Sequence, residues 1–239
     1  MDGRYAAVFL SCADGGVGMS MLRRFEIYSV DPKAPQDKVA TMRASMRNAQ
    51  RHIPEVLHSA VGDNKSEVAL HFVWEHAYES SESYKRYMIH PFHANIYDRY
   101  LLNDSPERLV TNNPYDVGLL GYSCEKPIYF LKNGAARRLV LLRVAQGQEK
   151  FVRALTEKVR AGNPRMILSV FAENTFATRW LDGVTQMLEQ TTYSHIWEQG
   201  YDSLENAAAA GNDWRASAGA AIEKSIELWY ELDAGYEGG

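Results

Sequence analysis

Residues 71–84 read HFVWEHAYESSESY, and residues 195–207 read HIWEQGYDSLENA. Each stretch places a Trp-Glu pair in a β-prone run and then passes into serine and acidic residues, the signals of a strand ending and a helix opening. A phrase that recurs half a chain later marks an internal repeat, and the flanking elements recur in the same order.

Around the first copy, MLRRFEIYSV (21–30) reads as a strand stopped by Asp31-Pro32. A helix follows with Pro35 in its first turn and Val39, Met42, Met46 and Ala49 on one stripe, closing before Pro54. Strands are expected over 55–63 and 66–77 across the turn GDNKS. The helix SSESYKRYMIH (80–90) opens on a serine cap, Pro91 interrupts it, and HANIYDRYLL restarts it. After an Asn/Pro loop (103–114), YDVGLLGYS (115–123) is the fourth strand. Around the second copy, ARRLVLLRVA is a strand and GQEKFVRALTEKVRAG a helix with Phe151, Leu155 and Val159 on one side, ended by Gly162. PRMILSVFAE is a strand, residues 191–222 read as strand, turn and helix, and SIELWYEL is the last strand.

Both halves are thus β-α-β-β-α-β, the ferredoxin-like unit. The expected fold is α+β: two ferredoxin-like repeats, 1–125 and 126–239, bridged by CEKPIYFLKNG and closing on one another as an intrachain dimeric α/β-barrel. At about 25 cal/mol per Å² of apolar surface, burial of the two bare sheet faces is the main driving term. The charged strand segments EKPIYFLK and RRLVLLR read as solvated strand ends, and Ala207–Ala210 as helix.

Composition excludes several classes. A net charge of −4 argues against a general nucleic-acid binder. No apolar run approaches the ~20 residues of a membrane helix, and the start MDGRYAAVFLSCADGG lacks the basic leader of a secretory signal, so a cytoplasmic location follows by default. Cys12 and Cys124 are too few for a disulfide framework and read as packed thiols. The GGVG at Gly15–Gly18 lacks a phosphate-loop context and is a turn.

The chemistry-bearing stretch is YKRYMIHPFHANIYDRY, 84–100, where His90 and His93 flank Pro91-Phe92 among tyrosines. An acid–base site, a metal site and ordinary packing all use these residue types. His90 at a helix end also suits the helix dipole as a cap. For a metal, His71 and His76 lie nearby, but Glu75 points to the opposite strand face from His76 and no recognised ligand spacing is present, so no metal is expected. Trp74 and Trp197 are core or pocket wall, and Tyr84, Tyr97 and Tyr100 line a pocket or cover the helix–sheet seam.

The order of elements and the phrase YMIHPFH resemble the stress-responsive dimeric α/β-barrel (Dabb) family over Leu22 to Tyr122, within a wider group that includes antibiotic-biosynthesis monooxygenases. The second half resembles a degenerate member without the His-Pro-x-His phrase. Family members usually dimerise to build the barrel, so this chain would be a fused pair, with a homodimer of fused chains left open. A plant polyketide cyclase of the family uses the tyrosine and second histidine of this phrase, which implies His93 as general base and Tyr87 as the group orienting it or holding a substrate oxygen. Where that enzyme has a histidine on its first strand and a tyrosine on its first helix, this sequence has Arg24 and Met46. The resemblance implies a cofactor-free cyclase, isomerase or lyase acting on a small phenolic or carbonyl-bearing substrate. His93, Tyr87 and His90 would move protons, with His71, Trp74, Tyr97 and Arg24 around the substrate. A stress-response or ligand-binding protein without turnover, a cofactor-independent monooxygenase and a heme protein with His93 or His195 as axial ligand are the alternatives. The second half is expected to serve as lid and barrel partner.

Overall fold

The computed structural model describes residues 8–9, 21–102, 104–111, 120–124, 132–175, 193–211 and 213–235. The expected junction at 125, Cys12, Gly15–Gly18, the start of the fourth strand at 115–119 and most of EKPIYFLK lie outside these residues.

The elements run β1 (Val8–Phe9), β2 (Met21–Tyr28), α1 (Gln36–Arg47), β3 (Val56–Asp63), β4 (Phe72–Tyr78), α2 (Ser81–Met88), a π-type turn (His93–Asp98) leading into α3 (Arg99–Leu101), and β5 (Leu120–Cys124). The second half gives β6 (Ala136–Val144), α4 (Glu149–Gly162), β7 (Met166–Glu173), β8 (His195–Tyr201), α5 (Leu204–Ala208), α6 (Asp213–Ala218), β9 (Ile222–Glu231) and β10 (Asp233–Ala234). The sheets are ordered β10-β3-β4-β2-β5 and β1-β7-β8-β6-β9. Without the two short outer strands, both have the ferredoxin-like order, so the fold is α+β and repeated within the chain. The short strands cross over: β1 pairs in parallel with β7 of the second sheet, and β10 pairs antiparallel with β3 of the first.

Helices cover one face of each sheet. Val39, Met42 and Met46 of α1 and Tyr84 and Tyr87 of α2 pack with Trp74 and Tyr78 on the first. Val152 of α4 and Trp214 of α6 pack with Trp197 and Tyr201 on the second. Serine caps start the helices that follow the repeated phrase: Ser83 N–H donates to Ser80 Oγ and Asn206 N–H to Ser203 Oγ, each at 3.2 Å. The repeated tryptophans are tied alike, Trp74 Nε1 donating to Ser59 Oγ at 2.8 Å and Trp197 Nε1 to Ser169 Oγ at 3.0 Å.

The other two faces meet. Phe25, Ile27, Val73, Leu120 and Tyr122 of one sheet form a single core with Leu139, Leu141, Leu168, Ile196 and Tyr230 of the other. At Gly62 the approach is so close that a Cβ would stand 2.2 Å from Cδ2 of Tyr230.

Within this core lies a fully buried quartet of charges. Arg23 reaches Glu75 at 2.6 Å and Glu198 at 3.3 Å. Arg137 reaches Glu75 at 3.1 Å and is paired with Glu198. His58 Nε2 lies 3.0 Å from Glu75, Tyr230 donates to Glu75 at 2.8 Å and Tyr122 to Glu198 at 2.6 Å. Burial disfavours the ionised Glu75, but Arg137 and Arg23 outweigh it and hold the carboxyl well below its ordinary value.

Four sequence expectations are corrected. RRLVLLR is not a solvated end: Arg137 and Arg138 are buried, and both answer buried carboxylates. The strand expected over 66–77 begins at Phe72. Asn64 captures the preceding segment, donating to Val68 O and Leu70 O at 2.9 Å, and this turn lays Val68 and Leu70 against the intersheet core. Phe151 is 48% exposed, because the inward stripe of α4 is set by Val152 and Thr156. The helix expected after the turn in 191–222 is two short helices about Gly211, with Ala209 and Ala210 outside both, and Gly219, at φ 51°, turns the chain into β9. No helix among the described residues is long and apolar enough to cross a membrane.

Glu75→Ala leaves two buried arginines to share Glu198, one positive charge in excess, so urea unfolding should show a loss of about 3–5 kcal/mol. Glu82→Ala, which removes an exposed, solvent-screened pair with Lys85, should leave the urea midpoint nearly unchanged. Equal effects from the two substitutions would show that the quartet does not hold the halves together.

Candidate functional site

The helix-side face of the first sheet is set by period-two alternation. Because Arg23, Phe25 and Ile27 point between the sheets, Arg24, Glu26 and Tyr28 point to the helices, and β4 likewise presents Trp74, His76 and Tyr78. Register places Arg24 opposite His76 and Glu26 opposite Trp74. Over this floor α2 lays Tyr84 and Tyr87, one helical turn apart, and the π-type turn lays His93 and Tyr97. Residues four apart on a helical turn share one face, so His93 and Tyr97 both point inward.

The side chains form a continuous aromatic and charged cluster. The Tyr87 and His93 rings meet edge-on at 4.5 Å, and His93 and Tyr97 at 5.7 Å. Trp74 stacks on His76 at 4.4 Å and tilts against Tyr97 at 4.6 Å. Arg24 pairs with Glu26 at 3.0 Å and hydrogen-bonds the Tyr84 hydroxyl. His76 Nε2 lies 3.2 Å from Glu26, and His76 Nδ1 bonds the Tyr78 hydroxyl. Tyr28 donates to Glu26.

On the cover, the Tyr87 hydroxyl and His93 Nδ1 are buried without a well-formed hydrogen bond, the Tyr78 hydroxyl being the polar neighbour of Tyr87; on the floor the same holds for Arg24 Nε and His76 Nε2 beside Glu26. Asp98 Oδ2 lies 3.7 Å from His93 Nδ1, close enough for charge but outside hydrogen-bond range. Each unsatisfied buried group costs about 1–3 kcal/mol, so a ligand supplying partners is favoured here.

Burial drives the protonation states. It lowers His93 to about 4, with Glu26 opposing the shift, and lowers His76 to about 4, again against Glu26. Burial raises the Tyr87 phenol well above its ordinary value, reinforced by Tyr78 and Glu26. For Glu26, burial is outweighed by Arg24 and the His76 contact, and the carboxyl falls to about 2. At neutral pH the cluster therefore holds neutral imidazoles, protonated phenols and one Arg–Glu pair.

The sequence-derived candidates divide. His93, Tyr87, Trp74, Tyr97 and Arg24 all belong to this cluster. Tyr97 also donates to Ser45 O at 3.0 Å. His90 sits at the turn into Pro91, where its Nδ1 accepts from Phe92 N–H at 3.1 Å. His71 is exposed at the far end of β4, accepting from Val30 N–H at 2.9 Å, roughly 17 Å along the strand from His76. Sequence reasoning gave no site role to Glu26 or Tyr78, weighed His76 only as a metal ligand, and left Tyr84 as pocket lining or seam cover. Counting by twos from Arg24 and Trp74 reaches the first three, and Tyr84 lies three residues before Tyr87. Among the described residues, no group of three or more His, Cys, Asp or Glu side chains is arranged to hold a metal ion.

Two ferredoxin-like halves joined face to face, with an aromatic histidine cluster under the second helix, define an α/β-barrel protein. Residues 22–111 match the family model of the Stress responsive A/B Barrel Domain. No curated protein matches the sequence. Among solved structures, an anthrone oxidase-like protein shares 13% identity, with 92% of this chain and 95% of that one covered at a TM-score of 0.57. A protein of Fusobacterium nucleatum provisionally assigned as a monooxygenase shares 8% identity over 91% and 94% of the two chains, TM-score 0.57. A mutant chlorite dismutase from Candidatus Nitrospira defluvii, in complex with cyanide, shares 10% identity over 89% and 90%, TM-score 0.52. At these identities the likeness is one of fold.

The two histidines make stability acid-sensitive. Their folded pKa values lie below the ordinary 6.5, so between pH 6.5 and 4 the unfolded chain binds more protons than the native one and stability falls as pH falls. Each contributes on the order of 3 kcal/mol across that window. Urea midpoints measured from pH 7 to 4.5 should drop steeply, and His93→Asn should flatten the slope. An unchanged slope in that variant would mean that His93 titrates as it does in the unfolded chain.

Proposed function

We propose that the chain is an enzyme of proton transfer on a small carbonyl-bearing or phenolic substrate, using His93 and Tyr87 of the first half (1–125), with 126–239 as its folded partner. The observation that carries this reading is the adjacency of two buried, unsatisfied polar atoms, the Tyr87 hydroxyl and His93 Nδ1, on rings 4.5 Å apart.

The roles follow from protonation state. Tyr87, held as a phenol, donates a hydrogen bond to the substrate carbonyl and to the enolate oxygen that develops from it, in a site where water is excluded. His93, neutral at working pH, accepts the α-proton. The resulting imidazolium is stabilised by the Glu26 charge beneath the cluster and by Asp98 at 3.7 Å. Arg24 holds Glu26 ionised, and His76 ties Glu26 to the floor. A buried imidazole is a weak base, which favours substrates with acidic C–H bonds, such as a methylene between two carbonyls. Ring closure, isomerisation and C–C cleavage all proceed from that enolate, which supports a cyclase, isomerase or lyase.

The test is solvent deuterium exchange at the central carbon of an aryl 1,3-diketone, followed by NMR. The wild type should accelerate exchange, and His93→Asn should lose about 10²–10⁴-fold of that acceleration. Tyr87→Phe should slow it about 10²-fold through loss of the oxygen donor. Exchange that is equal in wild type and His93→Asn would leave a ligand-binding protein without turnover.

A further inference from the structure

The second half has the same floor with a different cover. Arg138, Trp197, Gln199 and Tyr201 occupy the strand positions of Arg24, Trp74, His76 and Tyr78. In the first half, the residues four and seven positions past the capping Ser80 are Tyr84 and Tyr87, which fill the space above the floor. The residues four and seven positions past the capping Ser203 are Ala207 and Ala210. Where two phenol rings stand in one half, two methyl groups stand in the other. A cavity of about 430 Å³ results, bounded by that floor, by Ala210 and Trp214, and by the end of α4 at Asn163.

We propose that this cavity is a second, separate binding site, for a planar, uncharged aromatic carbonyl compound of two or three rings. It does not rest on the proton-transfer reading of the first half. The volume lies within the range of small-molecule pockets. Two indoles supply the walls, Trp197 and Trp214 meeting edge-to-face at 5.7 Å and 86°, a surface suited to a flat π-system. Two of the buried polar side chains in the lining are hydrogen-bond donors. Tyr201 donates to Gln199 Oε1 at 2.6 Å, which fixes the amide with its N–H₂ group uncommitted among the described residues. Trp214 is 3% exposed, and its Nε1 has no hydrogen-bond partner among the described residues. The charge on the floor is answered: Arg138 is paired with Glu227 and donates to Ala210 O. Arg165 and Asp213, both exposed at the mouth, carry opposite charges, so the lining has no net charge and two buried donors, which suits a neutral carbonyl acceptor better than a carboxylate.

Titration of the full chain with chromone, by calorimetry and by quenching of tryptophan emission, tests the site. The wild type should bind it saturably, and more tightly than naphthalene, which lacks the acceptor, or 1-naphthoate, which carries a charge. Ala210→Tyr rebuilds the filled arrangement of the first half and should weaken binding at least tenfold. Should that variant fail to melt cooperatively, Ala209→Phe on the exposed lip of the cavity should weaken binding at least threefold. Absence of saturable binding by the wild type, binding unaltered in the folded filling variant, or 1-naphthoate binding tighter than chromone would each overturn the proposal.

Discussion

Two arginines and two glutamates meet where two sheets close on one another, and each arginine touches a glutamate from both halves. Apolar contact between sheets is strong but non-directional, and it tolerates sliding. A buried charge does not tolerate sliding, because losing its partner leaves an ion desolvated at a cost of several kcal/mol. The crossed pairing therefore selects one alignment of the halves. The apolar residues around it, Phe25 and Tyr122 on one side and Leu139 and Tyr230 on the other, supply the driving force once that alignment is reached.

The same quartet determines what the outer faces present. Arg23 and Glu75 can lie between the sheets only if Arg24, Trp74 and His76 lie under the helices, since adjacent strand residues point to opposite faces. A slip of one residue would exchange the two sets. The aromatic histidine cluster thus depends on charges on the far side of its own sheet. The cluster then sets its own chemistry through burial: a desolvated histidine stays neutral and a desolvated phenol stays protonated, while Arg24 keeps Glu26 ionised.

Most of the architecture was legible in the sequence. Alternation in MLRRFEIYSV, the repeated Trp-Glu phrase and the serine caps are local signals, and each marks an element the structure contains. Partners distant in the chain were not legible. Arg137 and Arg138 look like a solvated strand end until Glu75, Glu198 and Glu227 are brought to them, which no local pattern announces. Val68 and Leu70 look like strand residues, but the Asn64 side chain competes for their carbonyls and curls the segment. Within the cluster, the His-Pro-x-His phrase led to His93 and Tyr87, whereas Glu26 and His76 needed strict counting of strand faces.

The two halves also differ in a way that divides their capacities. Beneath the cover of the first half stand Glu26 and His76, and the negative charge of Glu26 favours an imidazolium above it. At the matching strand positions the second half has Val140 and Gln199. Its arginine finds a carboxylate on β9, off to one side, in Glu227. Apart from the paired Arg138, the charges around the space beside Ala210 are Arg165 and Asp213 at its exposed mouth, and no histidine among the described residues lines it. A floor whose carboxylate sits on the same strand as its arginine, beside a histidine, and a floor whose carboxylate comes from the neighbouring strand suit different work. Duplication supplied the same strands twice, and a few side chains facing the helices made one copy a cluster of imidazoles and phenols and the other a hollow walled by indoles.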